Sequence, residues 1–401
     1  MVVSGNATGM GVNLNANSDV LMVYFEQGGA CWDGQSCGTA PGASAAGISA
    51  VFLDGFGENE FNAMVDLGAE TGVGATPVPA LLRPDDADLA EEINPFFGAQ
   101  RIYFPYCTGD VFAGAQQAVN PDTGILHAGE SNVELYIDQL ITRYKNSEIP
   151  VPKQVFLVGV SAGGYGALFN AEKFSAAFDQ AFPESAPIEV HVMSDGGLIA
   201  EHNTDLNNTL VSSREAAFKS AWGVAIPEGC IEGEPCSSLF GIARDILDRL
   251  ALRGNATYAV MSFEADQTIA GFLNYLSFDE DGNVTGVDTA TLACNRHNTL
   301  AKLDQDYDIF YYFSVPETGH IMIEYANLPW VQAAIGEMDA EQTLLGLMGI
   351  SGPPVTYPLD ASGMVDASQE ITMRQWMADY IAGTRISASD TAYANVAACT
   401  Q

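Results

Sequence analysis

Cations are scarce in this sequence. Fifteen lysines and arginines stand against 51 aspartates and glutamates, a formal net charge of -36 over 401 residues. Lysine is found only at Lys145, Lys153, Lys173, Lys219 and Lys302. A field of that sign repels nucleic acid, anionic lipid and polyanionic sugars, so neither a nucleic acid nor a membrane is expected as a partner. The same composition suits a salt-adapted surface or simply a very soluble exported protein. Long apolar runs are missing too. None reaches the ~20 residues that span a bilayer, although apolar residues make up 47% of the chain. Stretches such as Val20–Phe25 have the length of strands instead. The expectation is a soluble protein with a large core and, from its acidic surface, a monomer.

No C-x-x-C pair occurs among the seven cysteines, which argues against a zinc ribbon or a thioredoxin-like site. Cys31/Cys37 and Cys230/Cys236 share a short spacing in Gly- or Pro-containing segments. Short-range disulfides in an oxidising compartment fit that pattern; buried reduced thiols are the alternative. The remaining Cys107, Cys294 and Cys399 leave at least one thiol free or paired outside the chain. Met1 leads straight into polar, Gly- and Asn-rich sequence with no apolar leader. A secreted or periplasmic location is expected, with the signal peptide absent from this sequence. Asn6, Asn207, Asn255 and Asn283 sit in N-x-[ST] sequons, which matter only on a eukaryotic secretory route.

Short β-rich runs recur at Val20–Phe25, Arg101–Phe104, Gln154–Val160, Glu189–Ser194, Thr257–Phe263 and Asp308–Ser314. Most are continuous rather than alternating, as parallel strands buried on both faces require. Helical patterns lie between them, at Asn132–Tyr144 and Gly164–Phe174. Alternating strands and helices predict an α/β fold with a mostly parallel central sheet. Two stretches break the rhythm. Residues 198–255 read as a helical, cap-like insertion holding Ser212–Trp222 and Ser237–Leu252. Residues 325–370 read as a second insertion with the Pro-rich stretch Gly352–Pro358, before a closing amphipathic helix over Ile371–Ile381. No internal repeat is visible, and the whole chain, 1–401, reads as one domain.

The segment that carries chemistry runs from Val155 to Gly164: a buried strand, then Gly159-Val-Ser-Ala-Gly163, then a helical pattern. In a nucleophile elbow a serine sits on a sharp strained turn at the end of a strand, and the flanking glycines avoid clashes with neighbouring backbone. Ser161 is the candidate nucleophile; the alternative is a helix-capping serine in a Gly-rich turn. A serine hydroxyl needs a base. In this arrangement the chain order is serine, acid, histidine. His127 precedes the serine, and His191 lies within a strand. His202 and His297 read as surface residues of polar loops. His320, in the loop Pro316-Glu-Thr-Gly-His320 after a late strand, is the candidate base. Asp266, just after the strand Thr257–Phe263, is the candidate acid, with Glu264 and Asp195 as rivals. For a developing oxyanion, the natural donors are the backbone amides of Ala162 and of the Gln27-Gly-Gly-Ala-Cys31 segment.

Taken together, four segments resemble the pectin acetylesterase/Notum family of α/β-hydrolases, in a bacterial-type branch. They are YFEQGGACW from Tyr24 to Trp32, PYCTGDVFAG from Pro105 to Gly114, GVSAGG from Gly159 to Gly164, and Ser194-Asp-Gly196. The similarity extends over roughly residues 7–325. It implies an α/β-hydrolase fold, a Ser161–Asp266–His320 triad, and oxyanion donors from Gly28, Gly29 and Ala162. The family usually has glycine after the glutamate of the first segment, where this chain has Gln27; that change bears on the mouth of the acyl pocket. Trp32, Phe112 and Tyr165, with Phe25, are the candidates to line that pocket, and Asp110 and Asp195 are its polar candidates.

The expected activity is a serine carboxylic ester hydrolase acting through an acyl-enzyme, with no metal or organic cofactor. Its substrate is a small-molecule or polymeric ester. The family splits between pectin deacetylation and removal of a fatty acyl group from a protein. The charge of -36 weighs against a polyuronate, except at ~1 M salt, where the screening length falls to ~3 Å. An uncharged ester is therefore favoured over pectin or polysaccharide O-deacetylation. The remaining alternatives are a peptidase with the same triad and a non-catalytic binding protein on a hydrolase scaffold.

Overall fold

Continuous apolar runs need cover on both faces, and the sheet they form is sandwiched accordingly. The computed structural model describes residues 8–41, 55–62, 96–146, 149–202, 206–279, 282–315, 319–322, 365–366, 371–385 and 387–389. Of the expected second insertion, only residues 365–366 fall within these; Gly352–Pro358 and Cys399 lie outside them. In chain order the elements are β1 (Gly11–Asn13), β2 (Val20–Phe25), β3 (Gln100–Phe104), α1 (Gly129–Asn146), β4 (Gln154–Val160), α2 (Ala162–Ala181), β5 (Glu189–Asp195), α3 (Leu206–Trp222), α4 (Leu239–Arg253) and β6 (Ala256–Phe263). Then follow α5 (Gln267–Phe272), β7 (Leu276–Phe278), β8 (Val284–Val287), α6 (Thr289–Asp306), β9 (Phe310–Val315), β10 (Val365–Asp366), β11 (Ile371–Thr372), α7 (Met373–Ile381) and β12 (Ala388–Ser389).

Eight strands form one sheet in the order β1-β3-β2-β4-β5-β6-β9-β12. Only β1 runs antiparallel to its neighbour. The chain steps from β2 outward to β3, then returns past β2 to β4. The ends of β2 and β4 thus flank a point where the strand order reverses, the usual ligand crevice of an open α/β sheet. Register makes the crevice specific. Phe25 pairs with Gly159 across β2/β4, and Val160 with Asp195 across β4/β5. The loops after β2, β4 and β5 therefore leave the sheet side by side.

Alternate residues of each strand go to opposite faces. Leu21, Val23, Val155, Leu157, Val190 and Val192 join α1, α2 and α4 in one apolar layer. Met22, Tyr24, Phe156, Val158, Met193 and Met261 join Trp376, Met377 and Tyr380 of α7 in the other. The stretch 198–255, expected as one helical insertion, divides in two. Helix α4 packs Ile242, Ile246 and Leu250 on the same layer as Tyr258 and Val190, so it covers the sheet as the crossover from β5 to β6. It begins at Leu239 because Ser238 caps it, accepting the Gly241 amide at 3.0 Å, and it stops at Gly254 with φ 75°. The closing helix is shorter than its periodicity predicts, since Ile371–Thr372 pairs with Val365–Asp366 as a small ladder.

The second layer depends on α7. Trp376 is buried against Phe313 and Tyr380. Trp376→Ala should lower stability by about 3–5 kcal/mol, read from the urea unfolding midpoint at unchanged slope.

Candidate active site

Three glycines decide the shape of the turn after β4. A Cβ on Gly159 would lie 2.0 Å from the Gly163 carbonyl oxygen, one on Gly163 2.0 Å from the Phe25 carbonyl oxygen, and one on Gly164 2.5 Å from Ser194 Oγ. Backbone therefore closes on backbone, with β2 on one side and β5 on the other. Between these glycines Ser161 adopts φ 52°, ψ -119°, a conformation that L residues avoid. Its amide donates to the Asp195 carbonyl at 2.7 Å, and its carbonyl accepts the Gly164 amide at 2.9 Å. The strain lifts the hydroxyl out of the sheet, ahead of helix α2.

His320 Nε2 lies 2.8 Å from Ser161 Oγ, and His320 Nδ1 lies 2.8 Å from Asp266 Oδ2. Asp266 is fully buried. Its other oxygen caps α5 by accepting the Ile269 amide at 2.9 Å. Burial pushes the His320 pKa down, but the charge and hydrogen bond of Asp266 outweigh it, and the net shift is upward from 6.5. Arg296 acts against this shift while holding Asp266. From α6, its Nη1 donates to Asp266 Oδ2 at 3.2 Å, to the Phe263 carbonyl at 2.6 Å and to Ser262 Oγ at 3.2 Å.

The rival acids have other work. Glu264 accepts Ser314 Oγ–H at 2.8 Å and pairs with His297 Nδ1 at 3.3 Å. The Asp195 carboxylate accepts the Met322 amide at 2.6 Å. That bond ties the His320 segment to the end of β5, so Asp195 supports the site from beneath the elbow. Two of the other four histidines differ from their sequence reading. His127 and His191 are buried, bonded to Thr108 and Thr123 and to Thr257, with burial pushing His191 down to about 4. His297 is not a loop residue but part of α6, and His202 is nearly buried rather than on the surface. Neither burial nor pairing of these two is visible in local sequence, because their partners arrive from distant elements.

The loop after β2 is held by residues that carried the resemblance but had no stated role. Glu26 Oε2 accepts the Tyr106 amide at 2.9 Å. Tyr106 Oη donates to the Gly29 carbonyl at 2.9 Å and accepts the Val111 amide at 2.8 Å. Gly29 has φ 71°, which favours glycine. The Cys31–Cys37 disulfide closes the next turn, and Trp222 Nε1 donates to the Cys31 carbonyl at 2.7 Å. Cys230–Cys236 is also formed, Cys294 is disulfide-bonded, and Cys107 is a buried free thiol.

Gly29, Ser161 and Ala162 border a single pocket, walled by Phe218, Trp222, Leu239, Ile269 and Phe272. Tyr165 lines it as well. Trp32 reaches it indirectly, packing on Phe218 and Phe272 with the Arg214 guanidinium 4.0 Å above its ring. Gly28, Phe112, Asp110 and Asp195 are not among its lining residues. Phe112 is core, against Phe25 and Tyr106. Asp110 is buried and staples its own loop, accepting Thr108 Oγ1–H at 2.6 Å and the amides of Phe112 and Gly129 at 3.1 and 2.8 Å. A carboxylate with those partners is a turn-forming group.

The sheet, the strained serine turn and the serine–histidine–aspartate relay define an α/β-hydrolase. Residues 88–239 match the family model described as Pectinacetylesterase. Palmitoleoyl-protein carboxylesterase notum1a of Danio rerio is 27% identical over 165 residues, 39% of this chain and 32% of that protein. Palmitoleoyl-protein carboxylesterase NOTUM of Homo sapiens is 25% identical over 163 residues, 37% and 31% of the two chains. The matched region thus spans about a third of the length of these curated relatives. The solved structure of the Wnt deacylase Notum from Drosophila, crystal form II, superposes with a TM-score of 0.50 at 18% identity, covering 79% of this chain and 81% of that one. At that identity the likeness speaks for the fold. Over these stretches the chain is similar to members of the pectin acetylesterase/Notum family.

The balance of forces on His320 can be read directly. Its ring should titrate above 6.5 by NMR in the wild type, and below 6.5 in Asp266→Asn, where burial is left opposed by less charge. An unchanged midpoint would sink this account of the pair.

Proposed function

We propose that the chain is a serine carboxylic ester hydrolase acting through an acyl-enzyme on an uncharged ester. The observation that carries this reading is the continuous relay, 2.8 Å from Ser161 to His320 and 2.8 Å from His320 to Asp266. The residues divide the reaction among them. His320 takes the proton as Ser161 Oγ attacks the ester carbonyl. Asp266 holds the imidazole by Nδ1 and stabilises its charged form. The Ala162 amide, in the first turn of α2, lacks an intrahelical partner and is available to the oxyanion, along with the amides of Gly28 and Gly29. The alcohol leaves with the proton from His320. Water, deprotonated by the same ring, then releases the acid.

The apolar walls support an acyl group on this side of the serine, and the charge of -36 disfavours an anionic substrate. The names of the relatives favour ester cleavage, and the family model keeps carbohydrate O-deacetylation as the second reading. The disulfides suit an extracellular or periplasmic location.

Hydrolysis of p-nitrophenyl esters from acetate to palmitate tests this. Ser161→Ala should cut kcat/KM by roughly 10⁴-fold or more. Turnover that survives the substitution would refute the nucleophile. If acetate release from acetylated pectin exceeded that from neutral esters at low salt, the second reading would replace the first.

The acid limb of kcat/KM has a set direction. The base must be neutral, and the pKa of His320 is raised, so activity should fall as pH drops through a midpoint above 6.5. A rate flat from about pH 4 to 8 would argue against a histidine base.

A further inference from the structure

Helix α3 turns a stripe of side chains inward at Val211, Glu215, Phe218 and Trp222. The spacing is helical, and three of the four are apolar. Glu215 is the exception: a carboxylate 5% exposed, on the wall of the pocket that Ser161 borders. Its hydrogen-bond partner among the described residues is His202, also on that wall, whose Nε2 lies 3.2 Å from Glu215 Oε1. Behind His202 the network continues. Tyr275 Oη is 2.5 Å from His202 Nδ1 and accepts Asn295 Nδ2–H at 2.9 Å. With the amide donating to the phenol, the phenol proton goes to Nδ1, which leaves the imidazole proton on Nε2, pointed at Glu215. The donors run in one direction, from Asn295 through Tyr275 and His202, and end on an acceptor.

A carboxylate can accept about four hydrogen bonds, and burial makes an unmet acceptor costly. Here that acceptor faces a cavity whose other walls include Phe218, Trp222, Leu239 and Phe272. A purely apolar acyl chain would strip water from Glu215 and return nothing. A fully charged ammonium would itself be desolvated by the aromatic walls, at greater cost than a hydroxyl. We propose that Glu215, oriented by His202, is a specificity-determining residue that selects acyl groups bearing a hydroxyl. This rests on the ester-hydrolase reading of the same pocket.

The test compares kcat/KM for p-nitrophenyl esters of hexanoic, octanoic and decanoic acid with those of their ω-hydroxy counterparts. For at least one chain length the wild type should prefer the hydroxy ester by about tenfold or more, the effect expected of a hydrogen bond to a charged group. Glu215→Leu should erase that preference and improve turnover of the plain ester. Should Glu215→Leu fail to fold, His202→Phe removes the orienting partner and should shrink the ratio, and the wild-type ratio stands by itself. A wild type that prefers the plain ester at every length overturns the proposal, as does a ratio that Glu215→Leu leaves unchanged. In either case turnover abolished by Ser161→Ala keeps the esterase reading intact. Absence of any Ser161-dependent turnover overturns both.

Discussion

Backbone contact at the end of β4 is the constraint on which the rest of the site depends. Gly159 touches Gly163, and Gly163 touches the last residues of β2. No side chain fits at either position. The turn can be this tight only with Ser161 in its strained conformation, and that conformation aims the hydroxyl. Register then does the remaining positioning. Because Phe25 is level with Gly159 and Asp195 with Val160, the loops after β2 and β5 emerge beside the serine without adjustment.

The three residues of the relay are anchored differently. Asp266 is held from several directions at once, by the α5 amide, by Arg296 and by His320. Arg296 also grips the Phe263 carbonyl, so the strand end and the carboxylate form one unit. His320 is secured through its own ring and through the bond from the nearby Met322 amide to Asp195. Two carboxylates thus serve one imidazole in different ways: Asp266 sets its charge and tautomer, and Asp195 sets where its backbone lies.

Much of this was legible in the chain because it is local or topological. The elbow is a strand, a glycine-flanked serine and a helix in consecutive residues. Asp266 and His320 follow from being late acids and histidines after strands, in the required order. What could not be read depends on distant packing. His202 meets Glu215, Tyr275 supports it from 73 residues away, and nothing local separates such a histidine from one in water. Asp110 stands in the most distinctive segment of the resemblance, yet its oxygens are consumed by its own turn and by the first amide of α1. Arg296 did leave a trace: it falls in the buried stripe of α6 with Leu292, Thr299, Leu300 and Leu303, an arginine where an apolar residue is expected.

Burial touches both sides of the charge imbalance. Arg101 and Arg296 are enclosed, and Arg214 is stacked on Trp32, so several of the 15 cations do not face water. Glu26, Asp110, Asp195, Glu215, Glu264 and Asp266 are enclosed as well, so the exterior keeps the strong negative excess of the composition. In the proposed reaction each ester cleaved at Ser161 yields an acid, which ionises to a carboxylate and a proton. A surface of that sign would drive the carboxylate outward and gather the proton, so at low ionic strength the proposed reaction would clear its product electrostatically while running in a film more acidic than the bulk.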